Sequence, residues 1–218
     1  MPRELTEDVW LLELPFVNAY LVADDVLVLV DAGYPRSGRR LRTEIESAGF
    51  DPATVDRVLL THFDLDHVGG LGALPGTQDI YAGVADAPLV SGARVPRVTG
   101  VKGGLQRLSA RFVRPPTSPV TGVADGDEIG SFTAIHSPGH TAGHVVYASA
   151  ARNVAFVGDL VMSDGDSLSP PPWFLNEDTA RVRDSIDRFA SRLPPVDVVA
   201  PGHGEPLAAA AFRTLANA

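Results

Sequence analysis

Short runs of apolar and β-branched residues dominate the first third of the chain, and Pro15 breaks the first run from the second. This pattern predicts three strands, over residues 9–14, 17–22 and 26–30. A stripe of apolar residues at helical spacing follows and predicts a helix over 37–48, with Ser37 as its cap and Gly49 as its stop.

The rest of the chain alternates between strand-like and helix-like patterns. Residues 58–60 predict a buried strand that runs directly into Thr61 and His62. Four more strands are predicted, over 132–136, 144–149, 153–157 and 196–199. Two more helices are predicted, over 177–193 with Asn176 as its cap and over 208–215.

Residues 87–124 differ from the rest because they contain no acidic residue. Their basic residues are Arg94, Arg97, Lys102, Arg107, Arg111 and Arg114. We interpret the segment as a connection between two strand-rich halves, with a helix around 104–112. Lys102 is the only lysine among the 18 basic residues of the chain, a bias that suits a GC-rich genome and adaptation to salt equally well.

Length and composition narrow the function classes. With 218 residues we expect a single domain over 1–218. The net charge of −9 disfavours nucleic acid and anionic membranes, so the expected partner is a small-molecule substrate. A homodimer is left open. The absence of cysteine excludes disulfides, thiolate metal sites and a cysteine nucleophile.

The hydrophobic pattern points neither to a membrane nor to secretion. No apolar run approaches the ~20 residues that span a bilayer. The first eight residues lack the basic start and apolar run of a secretory signal, so we expect a cytoplasmic protein.

The most informative stretch is 61–70, with sequence THFDLDHVGG. Four side chains that can bind a metal fall within six residues, directly after a buried strand. Alternation along an extended segment puts His62, Asp64 and Asp66 on one side. Crowding imidazoles and carboxylates there is costly without a cation. The alternative is a solvated acidic loop.

Three later loops favour the metal interpretation. His140 lies in a turn between two predicted strands, Asp159 directly follows another, and His203 follows a fourth, each beside a glycine. We expect His144 to support His140 or to pack at a strand start, and His136 to be structural.

These motifs resemble the metallo-β-lactamase-fold hydrolase superfamily, with a glyoxalase II-like or lactonase-like core. The resemblance rests on 61–70, 137–144, 158–159 and 201–204, in the family's order, together with the opening strands. It implies an α/β fold: a four-layer αβ/βα sandwich of two mixed sheets packed face to face, with the helices outside and metals at one edge.

The resemblance also implies a ligand set. Seven side chains would hold two metal ions: His62, Asp64 and His140 the first, Asp66, His67 and His203 the second, and Asp159 between them. The chain departs from the family at Asp64, where most members have histidine, so the motif is HxDxDH instead of HxHxDH. Asp31 and Thr61 are candidates to hold ligand imidazoles through their second nitrogen; Ser137 could do the same, or serve only in a turn.

Histidine and carboxylate ligands suit zinc, iron and manganese. We expect two divalent ions, with zinc favoured over iron or manganese. A single ion in the second site is the alternative, because aspartate at position 64 is shorter than histidine. The resemblance implies a hydroxide bridging the metals that attacks a carbonyl, and Asp66, the expected catalytic residue, would orient it.

The expected reaction is hydrolysis of a thioester, lactone or related ester in a small substrate. Trp173 and Phe174 are candidates for one wall of the pocket, and Arg107 and Arg111 for an opposite rim that binds an anionic tail. The alternatives are β-lactamase or phosphodiesterase activity at the same site, or a non-catalytic metal-binding or interaction module that retains the fold.

Overall fold

A computed structural model describes residues 1–76 and 78–216 of the chain. Seven strands form the first sheet, in chain order across the sheet. They are β1 Arg3–Thr6, β2 Val9–Leu14, β3 Val17–Ala23, β4 Leu27–Val30, β5 Val55–Leu60, β6 Asp79–Gly83 and β7 Val120–Val123. Strands β1 to β4 run antiparallel to one another, whereas β4 to β7 run parallel, so the sheet is mixed.

Eight further strands follow. They are β8 Glu128–Ile129, β9 Phe132–His136, β10 Val145–Ser149, β11 Val154–Gly158, β12 Met162–Ser163, β13 Leu168–Ser169, β14 Val198–Pro201 and β15 Leu207–Ala208. Six of them form a second sheet in the order β15-β14-β11-β10-β9-β8, and β12 pairs with β13 separately. Within the described residues, only β11 and β14 are parallel in the second sheet, which is therefore mixed as well.

The helices of the described residues lie in the connections. They are α1 Gly38–Ser47, α2 Leu65–Val68, α3 Ala87–Val90, α4 Gly100–Ser109, α5 Thr179–Arg192 and α6 Ala209–Ala216. None of the helices in this part of the chain is long and apolar enough to cross a membrane. The expected cytoplasmic location stays a prediction.

Alternation along the strands creates three apolar layers. In β4, Val28 and Val30 face the second sheet, while Leu29 faces the side of α1. In β10, Tyr147 belongs to the layer between the sheets, whereas Val146 packs towards α5 and α6. Three apolar layers require four layers of structure, so the predicted αβ/βα sandwich with helices outside is confirmed.

Several element boundaries differ from the sequence expectation. The helix predicted around 104–112 begins earlier, as α4, and continues as one 3-10 turn to Phe112. The helix predicted over 177–193 begins at Thr179, because Asp178 and not Asn176 caps it, accepting a hydrogen bond from the Arg181 backbone N–H. Ser37 stands at the start of α1 but makes no side-chain cap hydrogen bond.

Candidate metal centre

The polar side chains of the site follow strands from both sheets. His62 comes two residues after the end of β5, and α2 then carries Asp66 and His67. Asp159 follows β11, and His203 follows its parallel neighbour β14. Because these strands end at the same edge, side chains far apart in sequence meet there.

The seven predicted ligands form overlapping groups. We call His62, Asp64 and His140 the first set, and Asp66, His67 and His203 the second set; within each set, ligand atoms lie within 4.8 Å of one another. Asp159 also groups with His62 and His67. Its carboxylate is 3.4 Å from His67 Nε2, 3.6 Å from His140 Nε2 and 3.3 Å from His203 Nε2, which places it between the sets.

A buried carboxylate, Asp31, holds two of the imidazoles in orientation. His67 Nδ1 donates to Asp31 Oδ2 over 2.8 Å, and so does the Thr61 hydroxyl over 2.7 Å. With its proton given to Asp31, Thr61 Oγ1 accepts from His62 Nδ1 at 3.0 Å. Both rings therefore carry a proton on Nδ1 and turn Nε2 towards the centre, the orientation of metal-binding histidines.

The other two ligand histidines are oriented by the same device. His140 Nδ1 lies 3.2 Å from the side-chain oxygen of Asn176, and His203 Nδ1 lies 2.7 Å from the carbonyl oxygen of Phe16. Gly202 precedes His203 where a Cβ would collide with Asp159 and His67. The sequence did not indicate Asn176 as a ligand support; its place just before α5 suggested a cap.

Three buried ligand atoms have no hydrogen-bond partner: His62 Nε2, His67 Nε2 and Asp159 Oδ1. Buried polar atoms are nearly always paired, so unpartnered atoms that converge from separate elements indicate a missing partner. Two imidazole nitrogens and a carboxylate oxygen are suitable donors for a divalent metal ion. The residues present therefore fit the metal that the sequence implies.

The electrostatics around the second set also favour a cation. Burial would lower the pKa of His67, but Asp31, Asp159 and Asp66 raise that pKa well above its usual value. Burial likewise opposes the charged form of His203, yet Asp159 and Asp66 raise its pKa to about 10. Carboxylates that hold imidazoles protonated in this way provide a field that a metal ion can use.

The first set has a neighbour that sequence reasoning did not place there. Lys102, on α4, is buried, and its Nζ donates to Asp64 Oδ2 and lies 2.9 Å from His140 Nε2. One turn later, Gln106 Nε2 donates to Asp64 Oδ1 over 3.0 Å. Burial would raise the Asp64 pKa, but Lys102 and the neighbouring imidazoles hold that pKa well below its usual range.

Three polar residues near the two sets have structural roles. His144 is fully buried and its ring stacks on that of His62 with centroids 5.2 Å apart, so it packs behind the first set. His136 lies at the end of β9, and its ring contacts the Ala142 carbonyl oxygen. The Ser137 hydroxyl bonds the Ile135 carbonyl, which is a turn role and not support for an imidazole.

A cavity of about 470 Å³ opens onto both sets. Its polar lining includes Asp64, Asp66, Lys102, Gln106, Ser109, His140, Asp159 and His203. Its apolar lining includes Leu65, Leu105, Leu108, Phe112, Met162 and Leu175. The metal donors thus form one wall of the cavity, and α4 with the turn after it forms another.

The four predicted substrate contacts do not line this cavity. Trp173 and Phe174 line a neighbouring hollow of about 390 Å³. Arg107 on α4 and Arg111 in the turn after it are exposed, whereas Lys102 and Gln106 on α4 are buried and line the cavity. Neither arginine therefore lines this cavity, and the side chains of α4 that reach it are polar and apolar in mixture, with Lys102, Gln106 and Ser109 beside Leu105 and Leu108.

A four-layer α/β/β/α sandwich with histidines and aspartates gathered at its strand ends defines a class of metal-binding α/β proteins. The family model of the metallo-beta-lactamase superfamily matches residues 12–203, and the chain belongs to this superfamily.

Curated relatives and solved structures agree with this assignment. The chain is 26% identical to the probable metallo-hydrolase YqjP of Bacillus subtilis, over 93% of this chain and 73% of the relative. It is 29% identical to a hydroxyacylglutathione hydrolase of Cereibacter sphaeroides, over 87% of this chain and 66% of the relative. A metallo-beta-lactamase family protein of Thermus thermophilus shares the fold with a TM-score of 0.73 at 23% identity, covering 98% of this chain and 78% of that chain.

Proposed function

We propose that the chain is a metal-dependent hydrolase that cleaves a thioester, lactone or related ester bond in a small substrate. The observation that supports this best is the group of buried, unpartnered donor atoms on His62, His67 and Asp159. They lie beside a cavity whose wall includes Asp66, Asp159 and His203. Donor atoms that are buried yet next to a cavity suit a metal that a substrate can reach.

The second set together with Asp159 is the part of the site that we propose to hold a divalent ion. Zinc is favoured over iron or manganese, since imidazole and carboxylate ligands are those of catalytic zinc sites. The sequence favours a second ion in the first set. That ion would have to displace the Lys102 ammonium from Asp64 and His140.

A divalent ion at this place supplies a Lewis acid and makes hydroxide available at neutral pH. Asp66 lines the cavity with 19% of its side chain exposed, and we propose that it orients the attacking water. Asp31 and Thr61 keep the imidazoles aimed at the centre. The apolar side chains of Leu105, Leu108 and Phe112 hold part of the substrate and reduce the water around the reacting bond.

The leaving group and one relative both bear on the type of bond that the chain cleaves. None of the seven predicted metal ligands is an obvious proton donor for an amine, whereas a thiolate or alkoxide needs such a donor less. This favours a thioester or lactone over an amide. A relative named hydroxyacylglutathione hydrolase, an enzyme for a glutathione thioester by its name, supports the thioester. With a net charge of −9, a small molecule remains the proposed partner, not nucleic acid or membrane; a homodimer stays a prediction.

The test is a substrate screen of the zinc-loaded protein with thioesters, lactones, β-lactams and phosphodiesters. We expect turnover of a thioester or lactone that stops with chelator and returns with zinc. Asp66→Asn should lower kcat/KM by about 100- to 10,000-fold, the usual size of an acid–base or water-orienting contribution. Asp166→Asn removes an exposed carboxylate from the loop between β12 and β13 and serves as the matched control.

The alternatives give different results in the same screen. Turnover confined to β-lactams or phosphodiesters would keep the metal-dependent hydrolase and replace its bond type. Bound metal with no turnover of any substrate class would favour a non-catalytic metal-binding module. Turnover that persists fully in chelator would exclude the proposed mechanism.

A further inference from the structure

Lys102 is unusual both in its residue type and in its position. The chain uses arginine for every other basic side chain, and its single lysine is only 5% exposed. An ammonium is a compact point charge, whereas a guanidinium is a wide planar fork. The one place where the chain has lysine is therefore a buried position with room for a small cation.

That position is inside the first set. The ammonium donates to Asp64 Oδ2 and lies 2.9 Å from His140 Nε2. It can donate to His140 because the other ring nitrogen, Nδ1, faces the side-chain oxygen of Asn176. Two of the three donors that a first metal ion would use thus already have a cationic partner.

The side chain of Gln106 completes the coordination of Asp64. Gln106 Nε2 donates to Asp64 Oδ1 and also to the Phe63 carbonyl oxygen, over 3.0 and 2.9 Å. Lys102 and Gln106 are four residues apart on α4 and so lie on the same face of the helix. One face of α4 therefore satisfies both oxygens of the carboxylate that replaces the family's histidine.

The second set is different. Asp66 and Asp159 face the ring nitrogens of His67 and His203 at 3.3 to 3.9 Å. His67 Nε2 and Asp159 Oδ1 have no hydrogen-bond partner at all. The two sets thus differ: in the first, Lys102 contacts two of the three donors and only His62 Nε2 is left unpartnered, whereas the carboxylates of the second set face imidazoles.

We propose that the Lys102 ammonium takes the place of the first metal ion, so that the folded chain holds one divalent ion, in the second set with Asp159. This rests on the proposed function only in assigning an ion to the second set. The sequence favoured two ions and left one as the alternative; the pairing of Lys102 with Asp64 selects the alternative. Because Lys102 lines the cavity, a substrate oxygen meets an ammonium beside the ion instead of a second ion.

Counting ions on the intact protein tests the proposal. Wild type, Lys102→Met and Arg107→Met are loaded with excess zinc or manganese, desalted, and examined by native mass spectrometry and elemental analysis. Methionine keeps the length of the lysine side chain and removes its charge. Arg107→Met is the matched control, since it removes an exposed charge from the same helix. We expect one ion per chain in wild type and in Arg107→Met, and two in Lys102→Met.

A second variant covers the case in which Lys102→Met does not fold. Asp66→Asn weakens the second set alone, so it should reduce the ion count of otherwise native protein from one towards zero. Two ions in wild type, one ion in folded Lys102→Met, or one full ion retained in Asp66→Asn would each overturn the proposal while leaving a metalloprotein. No ion in wild type would instead overturn the proposed function, and this inference with it.

Discussion

Among the residues that the structure describes, Asp31 is the one that orients side chains of both sets. It accepts hydrogen bonds from Thr61 and His67, and through Thr61 it fixes His62. Its backbone has a positive φ of 57°, which places the carboxylate directly beneath the site after β4 ends. Losing this residue should therefore disorder two imidazoles without removing any ligand.

We predict that Asp31→Asn weakens metal binding by about 10- to 100-fold, the usual effect of removing such a support. The new amide NH₂ would face the Thr61 hydroxyl and His67 Nδ1–H, which both need an acceptor. Competition against a chelator of known affinity measures the change. Asp24→Asn is the control, since Asp24 is a similarly shielded carboxylate that pairs with Arg152 away from the site. An unchanged affinity in Asp31→Asn would contradict the prediction.

At the scale of residues, the convergence of the site's histidines and aspartates could be predicted, and their neighbours only in part. His140, Asp159 and His203 each stand beside a glycine, and His62 and Asp66 come shortly after a buried strand; both are local signals that a sequence displays. Lys102 had one signal, as the only lysine, but its partner Asp64 lies 38 positions away. Only the docking of α4 against the site determines that pairing, and no local pattern encodes such docking.

At the scale of elements, the start of α5 provides both the cap of the helix and the support of His140. Asp178 accepts a hydrogen bond from the Arg181 N–H and caps the helix, and its own N–H donates to the Gly139 carbonyl oxygen beside His140. Asn176, two residues earlier, is free to hold His140 because it is not the cap. Capping and ligand support are thus divided between two nearby polar residues.

We predict that Asp178→Ala lowers the free energy of unfolding by about 1 kcal/mol, the usual cost of losing an N-cap side chain. Urea unfolding of the metal-free protein measures it. The matched control is Ser37→Ala at the start of α1, which should cost less because Ser37 makes no cap hydrogen bond. Equal costs for the two variants would be inconsistent with the assigned caps.

Three strands of the first sheet were not predicted, and their burial explains why. β1 and β7 are its edge strands, mostly exposed, so they lack the apolar alternation that indicates a strand. β6 begins with Asp79 and ends with Gly83, residue types that are rare in strands. Their pairing depends on neighbours already in place, whereas β2 to β5 carry their own signal.

At the scale of the whole molecule, the site joins the two sheets. His67 reaches it from the first sheet, whereas Asp159 and His203 reach it from the second. An ion held by these three side chains links parts of the chain that are distant in sequence, and it binds the folded state far better than the unfolded one. Metal binding and global stability are therefore coupled, and both depend on the protonation of the imidazoles.

The stability of the metal-free protein should depend on pH through His203. Burial opposes the charge on His203, but Asp159 and Asp66 raise its pKa to about 10 in the folded metal-free protein. A raised pKa means that this stabilisation is fully present below the unfolded value near 6.5 and is lost as the pH rises through about 10. Metal-free protein should therefore lose about 1–2 kcal/mol between these limits after solvent screening, roughly 2–8 °C in Tm.

His203→Gln removes this contribution, so the Tm of the metal-free variant should change less with pH than that of wild type. The stabilisation by zinc has the opposite pH dependence: it increases with pH, because the ion needs the neutral imidazole of His203 and must displace its proton. The increase in Tm on adding zinc should accordingly grow from about pH 7 to about pH 9.5 in wild type. Thermal unfolding with and without chelator across this range measures both trends, and parallel curves for wild type and His203→Gln would show that Asp159 and Asp66 do not hold His203 protonated.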